Sequence, residues 1–233
     1  AELHGANAER VIEALAAAGN GRLRSVRHST TWDSGSAGHG RTFGPRHLLL
    51  DPAFRRGFAH LARLGLAYDA WMFYPQLPDL MDLLGTYPDA TVVLDHCGGV
   101  LGIPPHVDRA EVFRIWRGHI QALARFPNLS VKLGGLGMLY CGYDFHVRET
   151  PPSSEDLAAA WRPYFETCIE AFGPERCMFE SNFPMDKQSC TYGALWNAFK
   201  RIAANYSAAD KASLFHDTAV RVYRLPRALV AAR

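Results

Sequence analysis

Cys177-Met178-Phe179-Glu180-Ser181-Asn182-Phe183-Pro184 is the stretch that decides the fold. A short apolar strand ends in three polar residues and is stopped by a proline. Val92-Val93-Leu94-Asp95-His96 and Val131-Lys132-Leu133-Gly134-Gly135 repeat the pattern. Strands covered on both faces read as continuous Val, Ile and Leu runs, so Asp95, His96, Glu180 and Asn182 are costly at their ends unless something binds them. The C-terminal ends of the strands are where a (β/α) barrel keeps its chemistry, and the pattern therefore points to an enzyme.

Outward from these strands, helices and strands alternate along the whole chain. Residues 8–18 are Ala- and Leu-rich and helical, stopped by Gly19-Asn20-Gly21, and residues 23–28 form a first strand. Asp51 caps a helix over 52–64; a second strand covers 67–73, a helix 76–87, and a third strand 91–96. A helix over 108–125 leads to a fourth strand at 129–133, and the loop at 134–154 is too long for a simple connector. A helix over 154–172, a fifth strand at 177–181 and helices over 192–205 and 208–224 complete the order. Such alternation means βαβ units and a parallel sheet.

An eight-stranded barrel needs about 250 residues. Five βα units already occupy the 233 residues here, and the first residue is Ala1 rather than Met. Five units make an open α/β sheet or part of a (β/α) TIM barrel; in a barrel they would be a fragment with five of eight βα units, and residues 1–233 one N-terminally incomplete domain. A doubly wound sheet competes, but no G-x-G-x-x-G or P-loop follows any strand. An unpaired parallel edge at 23–28 predicts aggregation or a homo-oligomer.

Composition removes other classes. Lys and Arg number 25 against 23 Asp and Glu, without a long basic run, which argues against nucleic acid. Five cysteines, odd in number and without C-x-x-C spacing, fit reduced thiols and a cytoplasmic location. No apolar run approaches the roughly 20 residues that cross a bilayer, so no membrane partner is expected.

Four blocks together resemble the amidohydrolase-related family of TIM-barrel hydrolases: Val26-Arg27-His28-Ser29, Val93 to Gly99 (VLDHCGG), Val131 to Gly135 (VKLGG), and Arg176 to Lys187 (RCMFESNFPMDK). The segment Leu214 to Tyr223 is similar to the family's terminal helix. The resemblance implies that the five strands are the last five of eight. It also implies a small-molecule substrate within a set of lactonases and decarboxylases, and one divalent metal, Zn or Mn, in many members. Two departures stand out. No H-x-H occurs in the chain, and Asn182 stands where the family carries an aspartate that ligates metal or takes a proton from water. A neutral amide does neither well. His96 is the favoured metal candidate, and the reading leaves open whether a metal is used at all.

On the residues themselves, His96 is expected to share a face with Leu94 and Val92 at the rim of the interior, against the competing reading of a core histidine bonded to Asp95 or a backbone carbonyl. Glu180 points the same way as Asn182, one layer deeper. It serves either as the displaced carboxylate or as the ion-pair partner of Lys132 on the neighbouring strand. Arg27 and His28 end the first strand as substrate-binding candidates; Arg suits a carboxylate, and an inter-element salt bridge is the alternative. Trp71, Tyr74 and Gln76 are candidates for a pocket wall, and Tyr140, Tyr143 and His146 for a lid. Asp186 and Lys187 are expected to cap and solvate a turn, and His216 and Asp217 to be structural. The expected catalytic set is His96, Glu180 and Asn182, with Arg27, His28, Trp71, Tyr74 and Lys132 on the substrate. The expected activity is hydrolysis of a lactone or related cyclic ester of a small carboxylate or sugar-like compound. The alternatives are a metal-dependent decarboxylase on the same fold and a catalytically degenerate barrel that binds a small molecule.

Overall fold

The computed structural model describes residues 2–35 and 44–226. Five strands, β1 (Ser25–Ser29), β2 (Ala67–Trp71), β3 (Val92–Leu94), β4 (Leu129–Leu133) and β5 (Cys177–Phe179), lie side by side in chain order, every neighbour parallel. Among the described residues β1 and β5 are the two edges, so the sheet is open. The expected edge at the first strand is present.

The helices are α1 (Ala8–Ala18), α2 (Pro52–Arg63), α3 (Leu77–Thr86), α4 (Arg109–Leu123), α5 (Ser154–Phe172), α6 (Tyr192–Ile202), α7 (Ala208–Ala212) and α8 (Thr218–Val222). Their starts follow from local chemistry. The Asp51 carboxylate accepts the Ala53 and Phe54 N–H groups ahead of Pro52, and Ser153 and Asp156 cap each other's backbone at the start of α5. The helix expected over 208–224 is continuous over 208–222 and includes a π-helical turn at Ser213–Asp217.

One face of the sheet meets the helices. Tyr68 packs edge-on against Phe54 and Phe58 of α2, and Val92, Leu94, Leu129, Val131, Leu133, Cys177 and Phe179 join the same core with Trp116 of α4 and Trp161 and Phe165 of α5. Alternation then aims Arg27, Asp69, Val93, Lys132 and Met178 at the opposite face, which in a barrel is the interior. Val93 and Met178 are buried there without belonging to that core.

The strands stop earlier than the polarity pattern suggests, because the chain after β3 enters a left-handed turn. His96, Cys97, Gly98 and Gly99 have φ of 55°, 52°, 73° and 67°. Two of the four are not glycine, and each such residue costs about 1–2 kcal/mol in this region. Gly99 is obligatory, since a Cβ there would lie 2.0 Å from the Met72 carbonyl oxygen.

Candidate active site

That turn decides the geometry. Continued alternation from Val92 and Leu94 would send the His96 ring into the helical layer, where Leu94 lies beside Leu77 of α3. The left-handed turn redirects the ring to the loop after β5. The expectation that His96 shares a face with Leu94 and Val92 is thus corrected, although its place at the strand end is as expected. Its Nδ1 is hydrogen-bonded to Oε1 of Glu180, and the same oxygen accepts the His96 backbone N–H at 3.1 Å. Gly135 permits the approach, since a Cβ there would stand 2.6 Å from that of His96. Trp71 closes the other side edge-on, its ring centroid 4.7 Å from the imidazole.

His96 is buried and Glu180 is partly so, its side chain 15% exposed, which opposes charge on each. Burial lowers the imidazole, but the charge and hydrogen bond of Glu180 reverse this and raise it above its ordinary range. Burial raises Glu180, and His96 followed by Lys132 brings it below the usual carboxylate range. Both shifts favour the pairing of an imidazolium with a carboxylate over the neutral pair.

The Lys132–Glu180 ion pair, one of the two readings of Glu180, is not what forms. Lys132 Nζ lies 2.9 Å from Asp95 Oδ1 and 3.1 Å from Asp69 Oδ1, and Arg27 Nε lies 2.8 Å from Asp95 Oδ2. Parallel register explains this, because Leu94 pairs with Val131 and so brings Asp95 beside Lys132, one residue further on. Asp69 also accepts from the hydroxyls of Ser25 and, at 2.5 Å, Tyr223 beyond α8. Burial lowers Lys132, and the carboxylates of Asp95 and Asp69 more than compensate, holding it charged. Arg27 forms the inter-element bridge that competed with substrate binding, with its side chain 45% exposed at the margin of the network.

Asn182 adopts a left-handed φ of 50°, and its Nδ2 donates to Asp186 Oδ1 at 2.7 Å. Asp186 does not cap a solvated turn. It is buried, also accepts the Gly137 N–H at 3.3 Å, and burial pushes its carboxyl up to about 7 despite both hydrogen bonds.

Two expected substrate contacts lie elsewhere. His28 points into the helical side, stacked on His4 at 5.2 Å and beside Phe54 at 5.5 Å, and accepts the Leu3 N–H at 2.9 Å. Alternation places it opposite to Arg27. Tyr74 is buried, its hydroxyl 3.0 Å from His106 Nδ1, while His106 Nε2 lies 2.8 Å from Asp33 Oδ1. Gln76 spans the Thr30 carbonyl and the Trp32 and Phe73 N–H groups and so fastens loops. Of the loop candidates, Tyr140 packs on Trp71 and Phe73, whereas the Tyr143 hydroxyl turns away to the Ala160 carbonyl.

Three participants escaped sequence reasoning. Asp69 carried a usable signal, a carboxylate in the middle of Ala67-Tyr68-Asp69-Ala70-Trp71, under the same burial argument that singled out Asp95. Tyr223 and Asp186 carried none, since only the fold brings them in. Among the described residues no group of three or more His, Cys, Asp or Glu is placed to hold a metal ion. With His96 Nδ1 taken by Glu180 and the Asn182 amide by Asp186, the residues present offer acid–base and hydrogen-bonding chemistry.

Comparison with known proteins follows the same lines. An uncharacterised protein of Sinorhizobium fredii is 39% identical over 174 residues, covering 75% of this chain and 52% of that protein. An L-fucono-1,5-lactonase of Burkholderia multivorans is 31% identical over 198 residues, covering 78% of this chain and 63% of the relative. The chain thus spans between half and two thirds of the length of these curated relatives. The crystal structure of a Burkholderia multivorans amidohydrolase with bound zinc superposes with a TM-score of 0.77 at 26% identity, over 97% of this chain and 72% of that one. A Pseudomonas putida structure described as a putative 2-pyrone-4,6-dicarboxylic acid hydrolase has a TM-score of 0.61 at 19% identity, over 93% and 67% of the two chains, a likeness of fold alone. The amidohydrolase family model matches residues 5–225, which takes in all five strands and the Tyr223 that closes on them; the chain belongs to the amidohydrolase family, and its five βα units are those of a (β/α) barrel.

Proposed function

We propose that residues 1–233 act as one domain of a hydrolase that opens lactones or related cyclic esters. The observation that carries this reading is the His96–Glu180 pair at the strand ends, hydrogen-bonded, largely enclosed and backed by the Lys132 network. The kinship with L-fucono-1,5-lactonase supports the choice of a cyclic ester. Neighbours described as decarboxylases are 13% and 17% identical and support the fold alone, and no observation on this chain favours that chemistry.

With Nδ1 committed to Glu180, the imidazolium presents Nε2–H to a carbonyl oxygen, where a preorganised donor is worth most as negative charge develops. Water adds to the carbonyl carbon and the ring C–O bond breaks. Glu180 takes the proton from the water and His96 Nε2 gives one to the leaving oxygen, so the pair ends with the proton count it began with. Asp186 acts as a positioning residue. By accepting from Nδ2 it sets the rotamer of Asn182, whose carbonyl oxygen is then an acceptor that orients the water. Arg27, partly exposed beside Asp95, places a cation where an anionic or hydroxylated ring would enter.

The test is a proton-release assay of the protein against a panel of sugar 1,5-lactones and carboxylated lactones. Turnover is expected for at least one, and none across the panel overturns the reading.

A further inference from the structure

Beside the loop that holds Asn182 runs a groove of about 690 Å³, within the range of small-molecule sites. One wall comes from the loop between β4 and α5, with Phe145, His146 and Arg148. The other comes from the segment after β5 and the start of α6, with Phe183, Lys187 and Tyr192. The aromatic surfaces are ordered: Phe183 meets Tyr192 edge-on at 5.1 Å, and the Arg148 guanidinium sits 4.7 Å over the Phe145 ring.

The charge of this groove is one-sided. Arg148 and Lys187 line it with His146, and no Asp or Glu does. Neither cation forms an ion pair with a described residue, and Asp156, whose carboxyl Arg148 helps to lower, is solvent-facing. The Cys190 thiol on the floor is pushed by burial up to about 12, so it adds no negative charge. Aromatic side chains beside two exposed cations that form no ion pair complement a flat apolar body that ends in a carboxylate.

We propose that this groove is a binding site for small ring-bearing carboxylates, separate from the His96–Glu180 pair and independent of the ring-opening reading. Phenylacetate, 2-phenylethanol and benzylamine share a ring and differ in charge, and calorimetric titration of the whole protein compares them. Phenylacetate is expected to bind, with both other probes at least about tenfold weaker, which corresponds to about 1.4 kcal/mol. In the Arg148→Glu/Lys187→Glu double variant the preference should pass to benzylamine. His96→Ala should retain phenylacetate affinity within about twofold, on the same scale.

Equal affinity for acid and alcohol, or a double variant that keeps its preference for the acid, overturns the proposal. Loss of phenylacetate binding in His96→Ala moves the ligand to the acid–base pair and also overturns it, while leaving lactone hydrolysis standing. Light scattering on Tyr192→Glu covers the remaining occupant: a dimer dissociated by this change would assign the groove to a second copy and overturn the site.

Discussion

His28 and His96 both end a strand of the same sheet, and the same rule of polar strand ends singles out both, yet they reach opposite states. His28 faces the helices among His4 and Phe54, and burial followed by the neighbouring His4 lowers its pKa to about 4. His96 is just as enclosed, but the left-handed turn sets it against the Glu180 carboxylate, which overrides burial and raises it. Burial alone removes a charge; burial beside a fixed counter-charge keeps it. The difference lies in the face of the sheet and the partner across it, not in the residue type.

The largest effect expected from disturbing this arrangement is at Lys132, the more enclosed cation of the interior face. Lys132→Met leaves Asp95 and Asp69 buried without it, and removal of one partner from such a group costs about 3–5 kcal/mol. Arg27 and Tyr223 remain on those carboxylates and favour the lower end. For a chain of this size that is a fall in thermal midpoint of roughly 6 °C or more, readable by calorimetry. An unchanged midpoint would mean that the network contributes nothing to stability.

Next in size is the direct contrast of the two histidines. His96→Ala should lower kcat/KM by about 10²-fold, the scale of losing a general acid, while His28→Leu should leave it within about threefold. Equal losses in steady-state kinetics would break the comparison.

His28→Leu should act on the pH dependence of folding instead. Its folded pKa lies below the unfolded value of 6.5, at about 4, so the unfolded chain takes up the proton first. The wild type loses stability from this group as pH falls through that window, and denaturant titrations of His28→Leu should lack this loss.

A pH effect of similar size belongs to Asp186 and has the opposite sign. Its folded carboxyl keeps its proton up to about 7 against an ordinary 3.8, so its contribution is fully present below 3.8 and is lost as pH rises toward 7. Asp186→Asn should flatten that part of the stability curve. It should also remove an inflection near pH 7 from the kcat/KM profile. If the inflection survives in the variant, Asp186 does not position Asn182 for turnover.

Much of the fold was legible because strand burial writes itself locally. Val92-Val93-Leu94 and Cys177-Met178-Phe179 are apolar runs that only a doubly covered strand explains, and Asp51-Pro52 and Ser153 with Asp156 mark helix starts through bonds within four residues. The π-turn at Ser213–Asp217 was not legible, since 208–224 has ordinary helical composition. Within the site, the polar strand ends identified Asp95, His96, Glu180, Asn182 and Lys132, because an ionisable group at such a place is expensive unless paired.

Which group pairs with which was beyond the sequence. Alternation alone sent His96 with Val92 and Leu94, and four consecutive left-handed residues overruled it, made possible where Gly99 passes the Met72 carbonyl and Gly135 passes the imidazole. Strand order and register gave Lys132 to Asp69 and Asp95 rather than to Glu180, and the chain's return beyond α8 added Tyr223 from 154 residues away. By itself the sequence determined that buried charges sit at the strand ends, because burial energy depends on composition and periodicity close along the chain. Only the tertiary structure decided their partners and hence their protonation, because Coulomb and hydrogen-bond energies depend on ångström-scale distances between groups that the chain keeps far apart.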